Sequence, residues 1–520
     1  MIRICILLAT ILWNLPTYST DSIGKYAIDK DLTYLIEIQG SESHGHTPLW
    51  LNANKHGLSS LASSNGYLRA SLMRDMAIDS TRKWAIGYGA DFVIPTHYTS
   101  KFFVHQAYAE GRWLHGTLTI GSKEYNLELK NNLLSSGSQT LGINARPVPQ
   151  IRIALPEYWT LPFAGKWIHL KGHIAYGYFT DDNWQKDFIA QYSGFSEHVL
   201  YHSKAAYLKI GKEGISPFSA ELGLEMAAQF GGKNYVYDSE GREYVYRNPS
   251  NFASFLYAFI PGGKDQPEST YQNEEGNHLG SYTARLNYDN DNWGLSIYAD
   301  HFFEDHSAMF FIAKGGYGSG DNWDKRSASS FVLYKLKDIM LGTEVRLKAC
   351  PWLSNIVLEY LYTKYQSGPL YHEHGKQMSD QISGCDNYYN HGLYTGWQHW
   401  GQVIGNPLYR SPLYNNNGKI NVYNNRFSAV HLGFCGHISH RLNYRILGTY
   451  QNSVGTYDAP YKKPKDNYYL MGETEYHFTG RLQGWNIRSS LGFDWGYTLG
   501  NNQGFQLTVS KRGLINPSKK

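Results

Sequence analysis

The chain has 520 residues and a formal charge of only +4, and apart from Lys519 and Lys520 it carries no dense basic run, which argues against a nucleic-acid partner. Aromatic residues make up 15% with 43 Tyr, and mean hydropathy is negative. Beyond the N-terminus no stretch reaches the roughly 18 apolar residues of a membrane helix, so a helical membrane protein is excluded.

Residues 1–19 combine Arg3, an apolar run from Ile4 to Leu12, Pro16 and the small residues Thr17 and Ser19, the pattern of a secretory signal cut near Ser19. Cys5 leaves with it. Cys350, Cys385 and Cys435 remain, an odd number without CxxC spacing, so neither a disulfide framework nor a zinc or redox motif is expected. Residues 20–64 are expected to precede the main domain as a periplasmic or plug segment. In it Pro48 at N1, Leu49 to His56 and Gly57 at C′ predict a short helix.

From Gly66 onward, segments of about ten residues alternate apolar and polar side chains between Gly, Asn and Asp turns. Trp485, Ile487, Leu491, Phe493, Trp495 and Tyr497 share one face, opposite Asn486, Arg488, Ser490 and Asp494. Tyr468, Leu470, Tyr476 and Phe478 oppose Glu473, Glu475 and His477. The segments exceed the usual strand of about 5 or 6 residues, their apolar faces end in aromatic rings, and the chain is exported. These features predict an all-β fold, a transmembrane antiparallel outer-membrane β-barrel over residues 65–515 with a short tail at 516–520. Counting backward from Phe505 gives 17 to 19 strands, and the preference for even numbers selects 18.

An even barrel keeps both termini in the periplasm. Gly480 to Gly484, Ile438 to Arg441, Cys350 to Ser354 and Asp289 to Asn292 are then short periplasmic turns. Asp181 to Glu197, Gly231 to Asn277, Asp305 to Asp338, Gly368 to Asn424 and Val454 to Asp466 become long extracellular loops, and Cys350 and Cys385 fall at opposite ends. Glu344, Arg346, Glu359, Arg445, Glu473, Glu475, Arg488 and Asp494 are expected to line the lumen.

TPLWLNANKHG (Thr47 to Gly57), SSGSQTLGINARPVPQIRI (Ser135 to Ile153), GNHLGSYTARLNY (Gly276 to Tyr288), EYLYTKYQSGP (Glu359 to Pro369) and GNPLYRSPLYN (Gly405 to Asn415) together resemble the Wzi capsule-assembly family, in particular its Bacteroides-like members. The resemblance spans nearly the whole exported chain in order. It implies an outer-membrane surface lectin that helps hold exported capsular polysaccharide on the cell, with capsule export machinery as a further partner, outer-membrane lipid and lipopolysaccharide around it, and a monomeric state. Two departures stand out. Enterobacterial members carry an N-terminal helical bundle for which residues 20–64 leave little room, and the chain ends in SKRGLINPSKK where a terminal Phe is usual.

The stretch Cys385 to Gly418 has no helix or strand period and mixes rings with amides, the chemistry of a sugar-binding loop. Tyr388, Tyr389, Tyr394, Trp397, Trp400, Tyr409 and Tyr414 are its stacking candidates, with Asn387, Asn390, His399 and Arg410 as hydrogen-bonding groups. The alternative use of the same rings is to pack the loop against the barrel mouth. Glu473 and Glu475 lie about 7 Å apart along one strand face, near the spacing of an inverting glycosidase. Arg445 and Arg488 on the flanking strands make them an ordinary lumen charge ladder instead, so no catalytic residue is assigned. His372, Glu373 and His374 lack a third metal ligand, and His431, Cys435 and His437 lack a fourth; no metal and no cofactor are expected. Gly315 to Gly320 lacks the Lys-Ser/Thr of a phosphate loop. A diffusion channel, with the lumen charges as selectivity determinants, is the competing function.

Overall fold

A computed structural model describes residues 30–79, 83–212, 214–260, 276–304, 338–371 and 382–515, with positions 312–313, 321, 325 and 330–331 between them. Eighteen strands form one antiparallel sheet that closes on itself. They are β1 (Leu32–His44), β2 (Ser64–Arg74), β3 (Trp84–Thr96), β4 (Phe103–Trp113), β5 (Gly116–Ser122), β6 (Gln150–Thr160), β7 (Ile168–Tyr178), β8 (Leu200–Ile210) and β9 (Phe218–Phe230). The second half comprises β10 (Asn277–Asp289), β11 (Trp293–Glu304), β12 (Ile339–Leu347), β13 (Asn355–Tyr362), β14 (Phe427–Ser439), β15 (Leu442–Gly455), β16 (Pro460–His477), β17 (Trp485–Gly496) and β18 (Asn502–Ile515). Each strand pairs with the next, and β1 closes the barrel against β18 in unbroken register from Leu32 opposite Ile515 to His44 opposite Gln503.

The alternation predicted from sequence works inside out. On β17 Trp485, Ile487, Leu491 and Trp495 are exposed, whereas Ser490 and Asp494 are buried. That is the pattern of a barrel whose outer face meets lipid. Trp113, Phe218, Trp293 and Trp485 stand outward near one rim. Near the other, Tyr450, Tyr468 and Trp495 are register partners and form a ring row across three strands. Connections at the first rim are short, such as 114–115, 290–292 and 440–441. At the opposite rim they include 123–149, 179–199, 231–276 and 363–426.

Two sequence boundaries shift. Leu32–His44, expected to precede the barrel, is its first strand and pairs along both edges. The connection expected over Val454 to Asp466 shrinks to 456–459, because β15 and β16 continue to Gly455 and Pro460.

The helix expected over Leu49 to His56 is shorter, α1 (Leu49–Asn52), with Pro48 at its N-cap and Ala53 rather than Gly57 ending it, and all four of its residues are buried inside the barrel. Pro48 removes one backbone donor at its start, and both carboxylate oxygens of Asp494 on β17 accept the Leu49 N–H at 3.1 Å. The Trp50 indole N–H donates to Thr449 Oγ1 at 3.1 Å. The helix can lie this close to the wall because Gly492 has no side chain; a Cβ there would meet Leu51 Cγ at 2.7 Å.

The main hydrophobic core is therefore inside the barrel, toward the long-loop rim. It joins Leu51 of α1, Leu134 of the 123–149 connection, Trp397 and Tyr409 of the 363–426 connection, and Leu279, Met340 and Phe427 of the wall. Toward the short-turn rim the lumen opens into a cavity of about 990 Å³, lined by Glu37, Arg69, Tyr108, Arg445, Glu473 and Arg488 among others.

Candidate functional site

The wall of the lumen is polar, and its charged side chains chiefly hold the inserted connections. Glu359 accepts from Ser135 Oγ at 2.6 Å, from the Ser136 N–H at 2.8 Å and from Tyr298 OH at 2.5 Å. Glu344 pairs with Arg285 at 2.6 Å and accepts from Asn131 Nδ2 at 3.0 Å. Lys130 and Asp300 form a buried pair at 2.8 Å. Arg445 pairs with Glu473 at 2.9 Å and donates to the Leu133 carbonyl at 3.0 Å, while Arg488 pairs with Glu475 at 3.3 Å. Both candidate carboxylates of a hydrolase thus have a guanidinium partner. Arg346 lies near the short-turn rim, paired with Asp289 at 3.2 Å.

The aromatic stretch enters this lumen. Tyr388, Tyr389, Trp397 and Tyr409 have no exposed surface, and Tyr394 and Tyr414 have 5% or less. Tyr389 stacks on Tyr409 with centroids 4.1 Å apart, and Trp397 stacks on Tyr201 of β8 at 5.9 Å. The Trp397 indole N–H donates to the Thr140 carbonyl at 2.9 Å, and Tyr388 OH donates to Asp338 at 3.1 Å. The wall reaches back: Gln229 Nε2 donates to the Gly396 carbonyl at 3.0 Å, and Gln451 Nε2 to that of Leu408 at 2.8 Å. Rings enclosed on both faces cannot stack on a sugar, so in this conformation six of the seven stacking candidates form the centre of a plug. This corrects the expectation of an open platform.

The polar members behave likewise. His399 contacts the Arg146 carbonyl through Nδ1 at 2.9 Å and Thr180 Oγ1 through Nε2 at 2.9 Å, and burial lowers its imidazole to about 4. Arg410 donates to the Tyr414 carbonyl at 2.6 Å. Asn390 accepts the Val422 N–H at 2.8 Å, and Asn387 receives a hydrogen bond from Asn390 Nδ2 at 2.8 Å. Trp400 alone among the candidate rings is partly open. It borders a cleft with Trp184 and Asp181 of about 20 Å³, room for about one water.

What the loop plug supports lies above it. Strands Phe195–Glu197, Lys233–Tyr237 and Glu243–Arg247 form a small antiparallel sheet. Its lower side, through Val236 and Tyr246, packs on Leu393 and Tyr394. Its upper side presents Tyr235 and Tyr237. Tyr235 stacks on Phe195 at 4.3 Å with planes 3° apart, and Tyr192 meets the edge of Tyr237 at 6.0 Å. Tyr235 OH donates to Glu197 at 2.8 Å and Tyr237 OH to Glu243 at 2.6 Å, while Lys186 pairs with Glu197 at 2.5 Å. Tyr192 is 58% exposed. Phe195 is buried beneath Tyr235, and Tyr235 and Tyr237 are half-buried, fixed and flanked by charge. The signal was present in NYVYDSEGREYVYRN, a period-two hairpin around an acidic turn.

Among the described residues, one group of metal-ligating type comes together. Asp91, His105 and Glu124 bring ligand atoms within 4.8 Å of one another. A cation is already there: Arg69 pairs with Asp91 at 2.6 Å and with Glu124 at 3.2 Å. Both ring nitrogens of His431 are engaged, by Thr449 Oγ1 at 2.7 Å and the Leu134 carbonyl at 2.8 Å. His437 Nδ1 lies 2.6 Å from Asn443 Oδ1. His372, Glu373, His374 and Gly315 to Gly320 lie outside the described residues.

A family model described as capsule assembly protein Wzi matches residues 64–320. No curated protein matches the chain in sequence. Among solved structures the chain is similar to Wzi of Escherichia coli, described as an outer membrane protein involved in group 1 capsule assembly and as a carbohydrate-binding β-barrel. Identity is 13% and the TM-score 0.53, over 95% of this chain and 89% of that one. OpdK of Pseudomonas aeruginosa, solved with vanillate, is similar at 9% identity and a TM-score of 0.45 over 94% and 99% of the two chains.

Proposed function

This chain, matched over residues 64–320, belongs to the Wzi capsule assembly family of outer-membrane β-barrels, and from that premise we propose that it is a non-enzymatic lectin that retains exported capsular polysaccharide at the cell surface. The observation that carries the reading is the tyrosine sheet seated on a filled barrel. Tyr235 and Tyr237 are half-buried on its long-loop side beside the exposed Tyr192, and their hydroxyls are tied to Glu197 and Glu243, which keeps the ring planes fixed.

Aromatic stacking contributes about 0.5 to 1.5 kcal/mol per ring beyond burial. One sugar is thus held weakly, and a repeating polymer gains from successive contacts at high effective concentration. Lys186 is paired with Glu197 at 2.5 Å and Arg242 with Asp238 at 2.7 Å, so the charge beside the rings is balanced. A lectin needs no open pore, which agrees with a lumen occupied by α1 and two long connections.

The test replaces Tyr192, Tyr235 and Tyr237 together by Ala and measures glycan-array binding and polysaccharide shed into the medium. The barrel should still show the heat-dependent gel mobility of a folded outer-membrane protein while array binding falls about tenfold or more and shedding rises. Unchanged retention would remove the sheet from the site. Absence of any glycan binding by the parent chain would remove the lectin function itself.

A further inference from the structure

The outer wall below the long-loop rim carries polar side chains that a lipid-facing surface does not tolerate unpaired. On β7 to β10 even-numbered residues point outward, as exposed Ile174, Leu208, Leu222 and Leu286 demonstrate, whereas Ala175, Tyr207, Glu225 and Ser281 are buried on the lumen side. By that parity His202, Lys204 and His278 point away from the lumen. In a hydrocarbon environment such groups need partners within the protein.

The wall supplies one for His202, whose Nδ1 contacts the Ala175 carbonyl of β7 at 2.8 Å, and a helix supplies those of Lys204 and His278. α2 (Phe252–Phe259) lies against the outside of β8 and β9. Lys204 Nζ donates to the Phe259 carbonyl, and His278 Nε2 contacts the Tyr257 carbonyl at 3.2 Å, so both engage the carbonyl end of the helix, where its dipole favours positive charge. His202 stacks obliquely on Tyr176 at 4.4 Å and meets the edge of Phe259 at 5.9 Å. Phe255 packs on Tyr176 at 5.2 Å and on Phe230 at 5.1 Å. At the start of the helix the Asn251 side chain accepts the Ser254 N–H at 3.1 Å.

The face turned away from the wall is apolar. Phe252, Leu256, Tyr257 and Ile260 are 78%, 49%, 41% and 65% exposed, and residues 251–260 contain no charge. The level matters as much as the composition. On β9 Ala228 and Phe230 are covered, whereas Leu222, about 20 Å farther down a tilted strand, is open. The apolar band of such barrels is about 25 Å tall. The helix thus sits at the upper border of that band, at the end where Tyr450, Tyr468 and Trp495 stand on the opposite wall.

We propose that α2 is an outer-leaflet anchor, lying at the boundary of headgroups and acyl chains with Phe252, Leu256, Tyr257 and Ile260 in contact with lipid, where it takes over the upper aromatic girdle from the covered Tyr176 and Phe230. The occupant is lipid because the exposed face continues the outward apolar surface of Leu208, Leu222 and Leu286. The same connection carries Lys233–Tyr237 and Glu243–Arg247, so the anchor ties the tyrosine sheet to the membrane surface.

The experiment places a nitroxide on Leu256→Cys in a chain with Cys350, Cys385 and Cys435 changed to Ser, reconstituted in phosphatidylethanolamine and phosphatidylglycerol vesicles, with Tyr192→Cys labelled as the water-facing reference. Gel mobility confirms a folded barrel in each case. At position 256 collisions with oxygen should exceed those with a water-soluble nickel chelate, and at 192 the order should reverse. Nickel-dominated collisions at 256 would overturn the anchor. So would dipolar broadening between labels at 256, which would make a second copy of the chain the occupant.

Discussion

Lys130 and Asp300 are both almost completely buried and meet at 2.8 Å, which makes them the most exacting residue pair of the plug. Lys130→Ala leaves the Asp300 carboxylate enclosed without its cation and should cost about 3 to 5 kcal/mol, read as a lower thermal midpoint of the detergent-solubilised barrel. The double change Lys130→Met with Asp300→Leu should recover much of that loss, because it removes both charges at once. His391 and His399 set a second residue-scale expectation. Both belong to the plug, and burial lowers each to about 4. His391 Nδ1 accepts two backbone N–H groups, from Leu393 and Tyr394, which requires a neutral ring. An unfolded histidine gains its proton near 6.5, so between about 6.5 and 4 the unfolded state holds more protons. Stability is full above that window and falls as the pH drops through it. Thermal midpoints taken from pH 7 to 4.5 should decline, and less steeply in His399→Asn. These roles could not be read from sequence, since a histidine beside Trp in a loop fits a sugar-binding surface and a buried acceptor equally well.

At the scale of elements, the strands were legible because lipid outside and polar groups inside impose a period of two over ten or more residues. β1 escaped because its upper half, Gly40 to His44, is polar on both faces; only Tyr34, Ile36 and Ile38 mark its outer side. The 363–426 connection was legible as aromatic and aperiodic, but not as an interior plug. Composition records that rings need partners without recording whether the partners are sugars or the wall. Its fold depends on positions no side chain fits: Gly396 has φ +76, and a Cβ there would meet the Tyr389 carbonyl at 2.2 Å. Gly396→Ala should destabilise the plug by more than about 1 kcal/mol. Hydrogen exchange should quicken at Trp397 and Tyr409 while the amides of β15 to β18 stay protected.

For the whole molecule, a closed wall with a packed interior on one side and an aqueous cavity on the other resembles a stoppered cup more than a channel. Reconstituted in a planar bilayer, the chain should carry no steady current, and replacing residues 386–426 by a short Gly-Ser linker should produce one. A steady current from the parent protein would favour the diffusion-channel function. The asymmetry of the two rims and the outward apolar faces followed from the sequence, because each reflects the membrane as solvent, whereas the number eighteen followed from the preference for even barrels and is completed by β1, which the alternation from Gly66 onward left out. The interior did not, because it is built from contacts between residues hundreds of positions apart, such as Tyr389 with Gln139 and Trp50 with Thr449.

The seam between β1 and β18 pairs the first described strand of the chain with the last, from Leu32 opposite Ile515 to His44 opposite Gln503. Delivery of the polypeptide from its N-terminus therefore presents β1 with one bare edge for as long as its partner has yet to arrive. An unpaired edge of that length is a template for wrong partners, and loop closure across nearly the entire chain is intrinsically slow. The cylinder closes only when β18 pairs with β1, so until then every other strand pairing can be in place while one long edge stays open.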